Sequence, residues 1–162
     1  MNTAEDVVVR AAEKADMPVL GTYGAMLISL HHDWDPARFL PPGNGTPDSY
    51  ARWLESQLGK DVVILVAEHA GSLVGYTYAG LEGFDYMTLR GPAGVVHDIF
   101  VDPDRRKEGI GRALLQATIY ELIARGAHQI VLSTAFRNEA AQRLFAAAGF
   151  RPTMIEMTRN FE

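Results

Sequence analysis

The stretch VVHDIFVDPDRRKEGIGRALLQATIYELIARGA, residues 95–127, sets the reading of the whole chain. An apolar run, Val95–Val101, reads as a strand. It breaks at Asp102-Pro103, passes two arginines, a lysine and two glycines, and enters a helical pattern over 111–125 with Leu115, Ile119, Leu122 and Ile123 inward. Arg125-Gly126 closes that helix with a cation in the last turn and a residue able to turn left-handed. A helix start exposes unpaired N–H groups and carries about half a positive charge. Glycines at 109 and 111 keep side chains away from those amides, and Arg105, Arg106, Lys107 and Arg112 add full charges. The combination reads as a cradle for phosphate, with pyrophosphate its natural occupant. A plain strand-to-helix turn with solvated cations is the competing reading.

Two familiar phosphate cradles do not fit. GxxxxGK[ST] is absent, and GIGRAL lacks the third glycine of a dinucleotide fingerprint. The pattern present is Arg-x-x-Gly-x-Gly, spelled Arg106-Lys107-Glu108-Gly109-Ile110-Gly111.

Working outward, Gln129–Ser133 reads as a strand. Asn138 caps a helix with Ala141, Leu144, Phe145 and Ala148 on one face, closed by Gly149, and Thr153–Arg159 reads as a last strand. The strands at 95–101 and 129–133, joined by a helix, should be parallel. Upstream, Val62–Glu68 and Leu73–Ala79 form an expected hairpin around Ala70-Gly71-Ser72. Val7–Arg10 reads as a short strand. One helix follows Asp16 as its cap, and another starts at Thr46-Pro47 with Tyr50, Trp53, Leu54 and Leu58 on one face.

Composition bounds the function. The 162 residues are 48% hydrophobic, enough for one domain with its own core. No cysteine occurs, which excludes disulfides, thiolate zinc sites and a cysteine nucleophile, and fits a cytoplasmic address. MNTAEDVVVR does not read as a signal peptide, and VVILVA is too short to span a bilayer. The net charge of −5 argues against general nucleic-acid binding. Residues 1–95 hold 12 acidic and 6 basic residues, giving −6, and residues 96–162 hold 8 and 9, giving +1. That asymmetry suits an anion bound by the second half and a cation bound by the first.

In IFVDPDRRKEGIG, ALLQATIYELIARGAHQIVLST and NEAAQRLFAAAGF, in that order, the chain resembles the GNAT superfamily of N-acetyltransferases. The resemblance is specific over about 95–162, extends through the hairpin to about residue 62, and is only architectural before that. It implies one domain over 1–162 with an α+β fold. Its mixed sheet would have about six to seven strands flanked by about four helices, with splayed parallel central strands.

It also implies acetyl-CoA as donor. The pantetheine arm would run along Ile99, Phe100 and Val101, and the pyrophosphate would sit on the turn from Arg106 through Lys107, Glu108, Gly109, Ile110 and Gly111 to Arg112. Asn138 and Phe145 would border the arm. The sequence departs from the family pattern twice. Phe145 stands where many members have a tyrosine facing the departing sulfur, and Lys107 stands where a glycine often follows the first basic residue.

An acceptor ammonium with a pKa of about 10.4 must lose a proton before it attacks. Strand alternation places Val95, His97, Ile99 and Val101 on one face and Asp98 on the other, unless a bulge intervenes. The resemblance implies a Glu, Asp or His on this strand near the acetyl group, which makes His97 the candidate general base, against a reading as a packed core histidine. By resemblance, His31 and Trp34 would border the acceptor on one side, and Glu82, Asp85 and Tyr86 on the other. No metal is expected, because adjacent His31-His32-Asp33 rarely converge on one ion.

The expected activity is direct acetyl transfer to a primary amine, cationic on the charge argument, in a small-molecule or peptide acceptor. The alternative is a non-catalytic acyl-CoA-binding sensor or interaction module. The resemblance leaves room for a homodimer, with no nucleic-acid or membrane partner.

Overall fold

At Ala70-Gly71 the chain reverses with both residues left-handed, φ 50° and 81°, the geometry a two-residue hairpin connection needs. That turn joins β2 (Val62–His69) to β3 (Ser72–Glu82) in a computed structural model that describes residues 6–162. The reading of MNTAEDVVVR thus falls partly outside the described residues. The sheet has five strands in sequential order: β1 (Val8–Ala11), β2, β3, β4 (Ala93–Val101) and β5 (Ile130–Leu132). The first three pairings are antiparallel. The β4–β5 pairing is parallel, as the intervening helix requires.

Helices cover both faces of the sheet. Helices α1 (Met17–Trp34) and α2 (Thr46–Gln57) bury Met17, Leu20, Tyr23 and Leu54 against Ile64, Val66, Tyr76, Tyr78 and Phe100. On the other face, α3 (Ile110–Ala124) buries Ile110, Leu114 and Leu122 against Val63, Leu65, Val74, Ala79 and Val96. The buried Thr77 hydroxyl donates to Thr118, 2.8 Å away, since Thr118 spends its own proton on the Leu114 carbonyl. A fourth helix, α4 (Glu139–Ala147), follows β5. Close approach of α1 and α2 depends on glycine: a Cβ at Gly24 would lie 2.1 Å from the Tyr50 ring.

The four α-helices match the expectation, but the sheet has five strands rather than six or seven. The expected strand Thr153–Arg159 is not formed. Residues 151–162 are exposed and join no ladder, because the backbone of an extended segment needs a neighbouring strand edge and this one lies on none.

Local details also shift. Asp16 stands at the N-cap of α1 as expected, but its side chain makes no capping bond to the helix, because Arg10 binds both of its oxygens at 2.8 and 3.0 Å. Gly45, not Thr46, is the N-cap of α2, and the Thr46 hydroxyl accepts from the Gly43 amide. Ile123 is 59% exposed, since the buried stripe of α3 runs through Leu114, Leu115, Thr118 and Leu122 and leaves the next position outside. Among the described residues, no helix is long and apolar enough to cross a membrane.

Candidate active site

β4 and β5 pair only over Gly94–Val96 and Ile130–Leu132. From His97 onward β4 pairs with β3 alone, so no strand takes its β5-facing backbone edge and the parallel strands part, as expected. Phe100 turns its ring into the α1/α2 core and is 4% exposed, while Ile99 and Val101 pack toward α3. What these three residues present along the gap is backbone.

Beyond β4 the turn is built as a concave run of amides. Lys107 and Gly109 are both left-handed, at φ 66° and 81°, and alternate with residues of ordinary φ. Such alternation aims successive N–H groups at one point and favours an anion. Among the described residues, no protein acceptor takes the amides of residues 106–112; the first bond of α3 runs from Ala113 N–H to the Gly109 carbonyl, at 3.1 Å.

Arg105 braces the turn by donating to Glu108 at 2.7 Å and to His69 at 3.0 Å. Arg106 donates to the Val101 carbonyl at 3.3 Å and lies over the Phe100 ring. Lys107 and Arg112 extend into solvent. The donor set fits a pyrophosphate: unpaired amides in a concave turn, with cations beside them. Ile110 could offer the turn only its amide, since its side chain is 1% exposed. A Cβ at Gly111 would meet Leu144 at 3.4 Å and Val101 at 3.6 Å, ordinary contact distances, so helix packing alone does not require a glycine there.

The acceptor-side geometry corrects the strand argument. Tyr78 pairs with Asp98 and Ala79 with Val96, leaving His97 as an extra residue in a bulge. The bulge shifts the alternation by one. Ile99 and Val101 pack on the α3 face, whereas His97 lies against the Tyr78 ring at 5.6 Å on the α1/α2 face. His97 and Asp98 are thereby brought to the same side, where regular alternation had separated them.

His97 Nε2 donates to Glu82 at 3.0 Å, which leaves Nδ1 of the neutral ring free to accept a proton. Asp98 accepts from the Tyr50 and Tyr76 hydroxyls, the latter at 3.2 Å. Burial pushes the Asp98 carboxyl up to about 6. Aromatic rings wall the group. Trp53 stacks on Tyr50 at 5.8 Å and meets Tyr78 edge-on at 5.0 Å, yet stays 44% exposed. A shallow hollow lined by Gly43, Gly45, Ser49, Tyr50 and Trp53 opens beside it.

Of the residues expected around the acceptor, Glu82 joins His97 directly. His31 and Trp34 form a separate group at the end of α1. His31 there lies against Trp34 and Phe39, and its Nδ1 is 2.7 Å from the Leu27 carbonyl. Asp85 is spent on its own turn, accepting from the Met87 and Thr88 amides, and Tyr86 stacks on Phe84 in solvent. Asn138 caps α4 through its side-chain oxygen, which accepts from Ala141 N–H at 3.1 Å. Phe145 is buried edge-on to Phe150.

Sequence reasoning missed Asp98, Tyr50, Trp53 and Tyr78 as a group. The available signal was a carboxylate inside the apolar run HDIFV, which must find donors if it is buried.

The turn, the parted strands and their order coincide with a known family: residues 27–150 match the model of the acetyltransferase (GNAT) family. The chain belongs to that family. Its donor is acetyl-CoA. The L-methionine sulfoximine/L-methionine sulfone acetyltransferase of Pseudomonas aeruginosa is 31% identical over 148 residues, covering 88% of this chain and 78% of that protein. The mycothiol acetyltransferase of Thermobispora bispora is 42% identical over 96 residues, covering 57% of this chain. The match spans only 31% of that longer relative. The fold is shared with a Clostridium acetobutylicum protein solved with acetyl-CoA and described as a predicted acetyltransferase. Its TM-score is 0.73 at 18% identity, over 95% of this chain and 96% of that one.

Proposed function

We propose that this chain is a single-domain N-acetyltransferase that moves an acetyl group from acetyl-CoA directly to a primary amine on a small cationic acceptor. The observation that carries the reading is the β4 bulge. It places a histidine with a free ring nitrogen, oriented by Glu82, where β4 parts from β5. Acetyl-CoA supplies the activated acetyl group. The amides of residues 106–111, with Lys107 and Arg112, hold its anionic end, and the β5-facing edge of Ile99–Val101 aligns its arm. Asn138 and Phe145 border that arm.

In this reading His97 Nδ1 takes the proton from the acceptor ammonium, directly or through one water, and no side chain is acylated. Glu82 and Asp98 attract a cation, and the faces of Trp53 and Tyr78 favour one. Phe145 carries no hydroxyl, so the departing thiolate is protonated by solvent; a thiol pKa of about 8.5 makes that tolerable. The named relatives act on small molecules, which favours a small acceptor over a protein lysine.

The test is a thiol-release screen of purified protein with acetyl-CoA against cationic, neutral and anionic amines. Turnover with cationic amines is expected. Acetyl-CoA binding with no thiol release from any amine would favour the non-catalytic module instead.

A further inference from the structure

His69 closes β2 beside the left-handed pair Ala70-Gly71, and through it the β2–β3 hairpin reaches the turn that follows β4. The contact runs from the Arg105 guanidinium to His69 Nδ1, at 3.0 Å, between two half-buried side chains. A guanidinium has no acceptor and keeps its proton at any ordinary pH. The His69 ring is therefore neutral there, with Nδ1 accepting and the proton on Nε2. From its other side the same Arg105 grips Glu108 at 2.7 Å. Glu108 stands between the left-handed residues Lys107 and Gly109. A left-handed lysine is a costly backbone state that lasts only where contacts around it hold it. His69, Arg105 and Glu108 form a chain of contacts that reaches it from the sheet.

The charged groups around His69 give its ring no reason to ionise. Among the described residues, no carboxylate hydrogen-bonds or ion-pairs with it. Glu68, its neighbour on β2, is held by Arg10 at 2.8 Å, and Glu108 is taken by Arg105. Asp102, at the start of the turn, accepts from the Tyr23 hydroxyl of α1 and from the Asp104 amide, both at 3.0 Å.

We infer that His69 is a positioning residue for acetyl-CoA: its neutral ring holds Arg105, Arg105 holds Glu108, and the amides of residues 106–111 keep their aim only while that chain is intact. The inference rests on the turn being the acetyl-CoA site. A proton on Nδ1 would set N–H against N–H and cation against cation, so the brace opens. Histidine changes charge between about pH 5 and 8. Binding favours the neutral ring, so acid weakens it, through a residue outside the acceptor group.

Calorimetry of acetyl-CoA binding at about pH 8 and about pH 5.5 tests this on wild type, His69→Asn, His69→Leu and Gly109→Val. Asparagine puts an oxygen acceptor where Nδ1 lies and does not titrate, whereas leucine removes the acceptor. The phosphates of the donor titrate alike in every case, so the proteins are compared with one another at each pH. At the higher pH, His69→Asn should bind like the wild type and His69→Leu about tenfold more weakly. At the lower pH, the wild type should fall to the level of His69→Leu, about tenfold below His69→Asn.

The proposal is overturned if His69→Leu binds like the wild type at the higher pH. A His69→Asn as weak as His69→Leu also overturns it, since the ring and not its acceptor would then matter. So does a wild type that in acid binds as tightly as His69→Asn or more tightly, which would make the imidazolium one more cation for the phosphates. In any of these cases, a Gly109→Val that still loses affinity leaves the turn as the site and removes only the brace. A Gly109→Val that binds normally removes the turn as well. Should His69→Leu not fold, the wild-type and His69→Asn profiles decide alone.

Discussion

The turn beyond β4 offers backbone: the amides of residues 106–112, aimed by two left-handed residues and braced by Arg105. In the middle of the same strand it offers side chains: His97 against Glu82, and Asp98 under two tyrosine hydroxyls. The first site depends on φ angles and on the absence of Cβ atoms, and it tolerates changes in what its side chains carry. The second depends on which way two neighbouring residues point, and one inserted residue decides that. A donor common to a whole family suits the first kind of site. An acceptor that differs among relatives suits the second, where single substitutions change the chemistry.

The contrast can be broken at the backbone site by Gly109→Val. A branched residue at φ 81° would move the turn and its amides while leaving the α3 core in place. Hydrogen bonds to a charged group are worth about 1.5–3 kcal/mol each, so losing two should weaken acetyl-CoA binding roughly 10²–10⁴-fold by calorimetry. Unchanged affinity in a folded variant would remove the turn from the site.

The side-chain site makes its own demand on stability. Folded Asp98 keeps its proton up to about pH 6, whereas an unfolded aspartate releases it near 4. Its contribution is therefore fully present below pH 4 and is lost as pH rises through 6. Relative to Asp98→Asn, the wild type should lose about 3 kcal/mol between pH 3 and pH 7 in urea denaturation. A pH-independent difference would mean that burial does not penalise the charged form.

Gly24→Ala tests the support behind Tyr50, because the added methyl would collide with its ring. A cost of about 1–3 kcal/mol in thermal or urea unfolding is expected, with kcat falling further than folding explains. Smallest is Lys107→Gly. Relief of a left-handed non-glycine residue should stabilise the turn by about 1 kcal/mol. A matching loss of stability would show that the lysine side chain holds the turn.

The backbone site was legible because strand, turn glycines and helix start follow one another within the sequence. Arg-x-x-Gly-x-Gly can be read there without knowing any long-range contact. Even so, Gly111 turned out to face Leu144 and Val101, a packing fact that no local pattern shows. The acceptor group was legible only in part. His97 and Glu82 were named, but their contact needs the β3–β4 register, and the bulge that sets it has no signature in VVHDIFV. Tyr50 and Trp53 read as a buried helix face. Only the packing of α2 across α1 shows that Trp53 stays open to solvent beside Tyr78. The strand expected at 153–159 is a different kind of miss: its alternating pattern is present, but among the described residues no strand edge lies beside it to complete a ladder.

The account rests on which side chain of the bulge takes the proton. The direct measurement is kcat and the pH profile of kcat/KM for wild type, His97→Ala and Asp98→Asn with the best acceptor from the amine screen. General-base loss typically costs about 10²–10⁴ in rate. His97→Ala should therefore lower kcat by that order, lose the acidic limb and bind acetyl-CoA as before, while Asp98→Asn keeps the limb. If His97→Ala retains near-wild-type kcat with the same acidic limb, and Asp98→Asn loses both, the proton goes to the buried carboxylate and His97 is not the base.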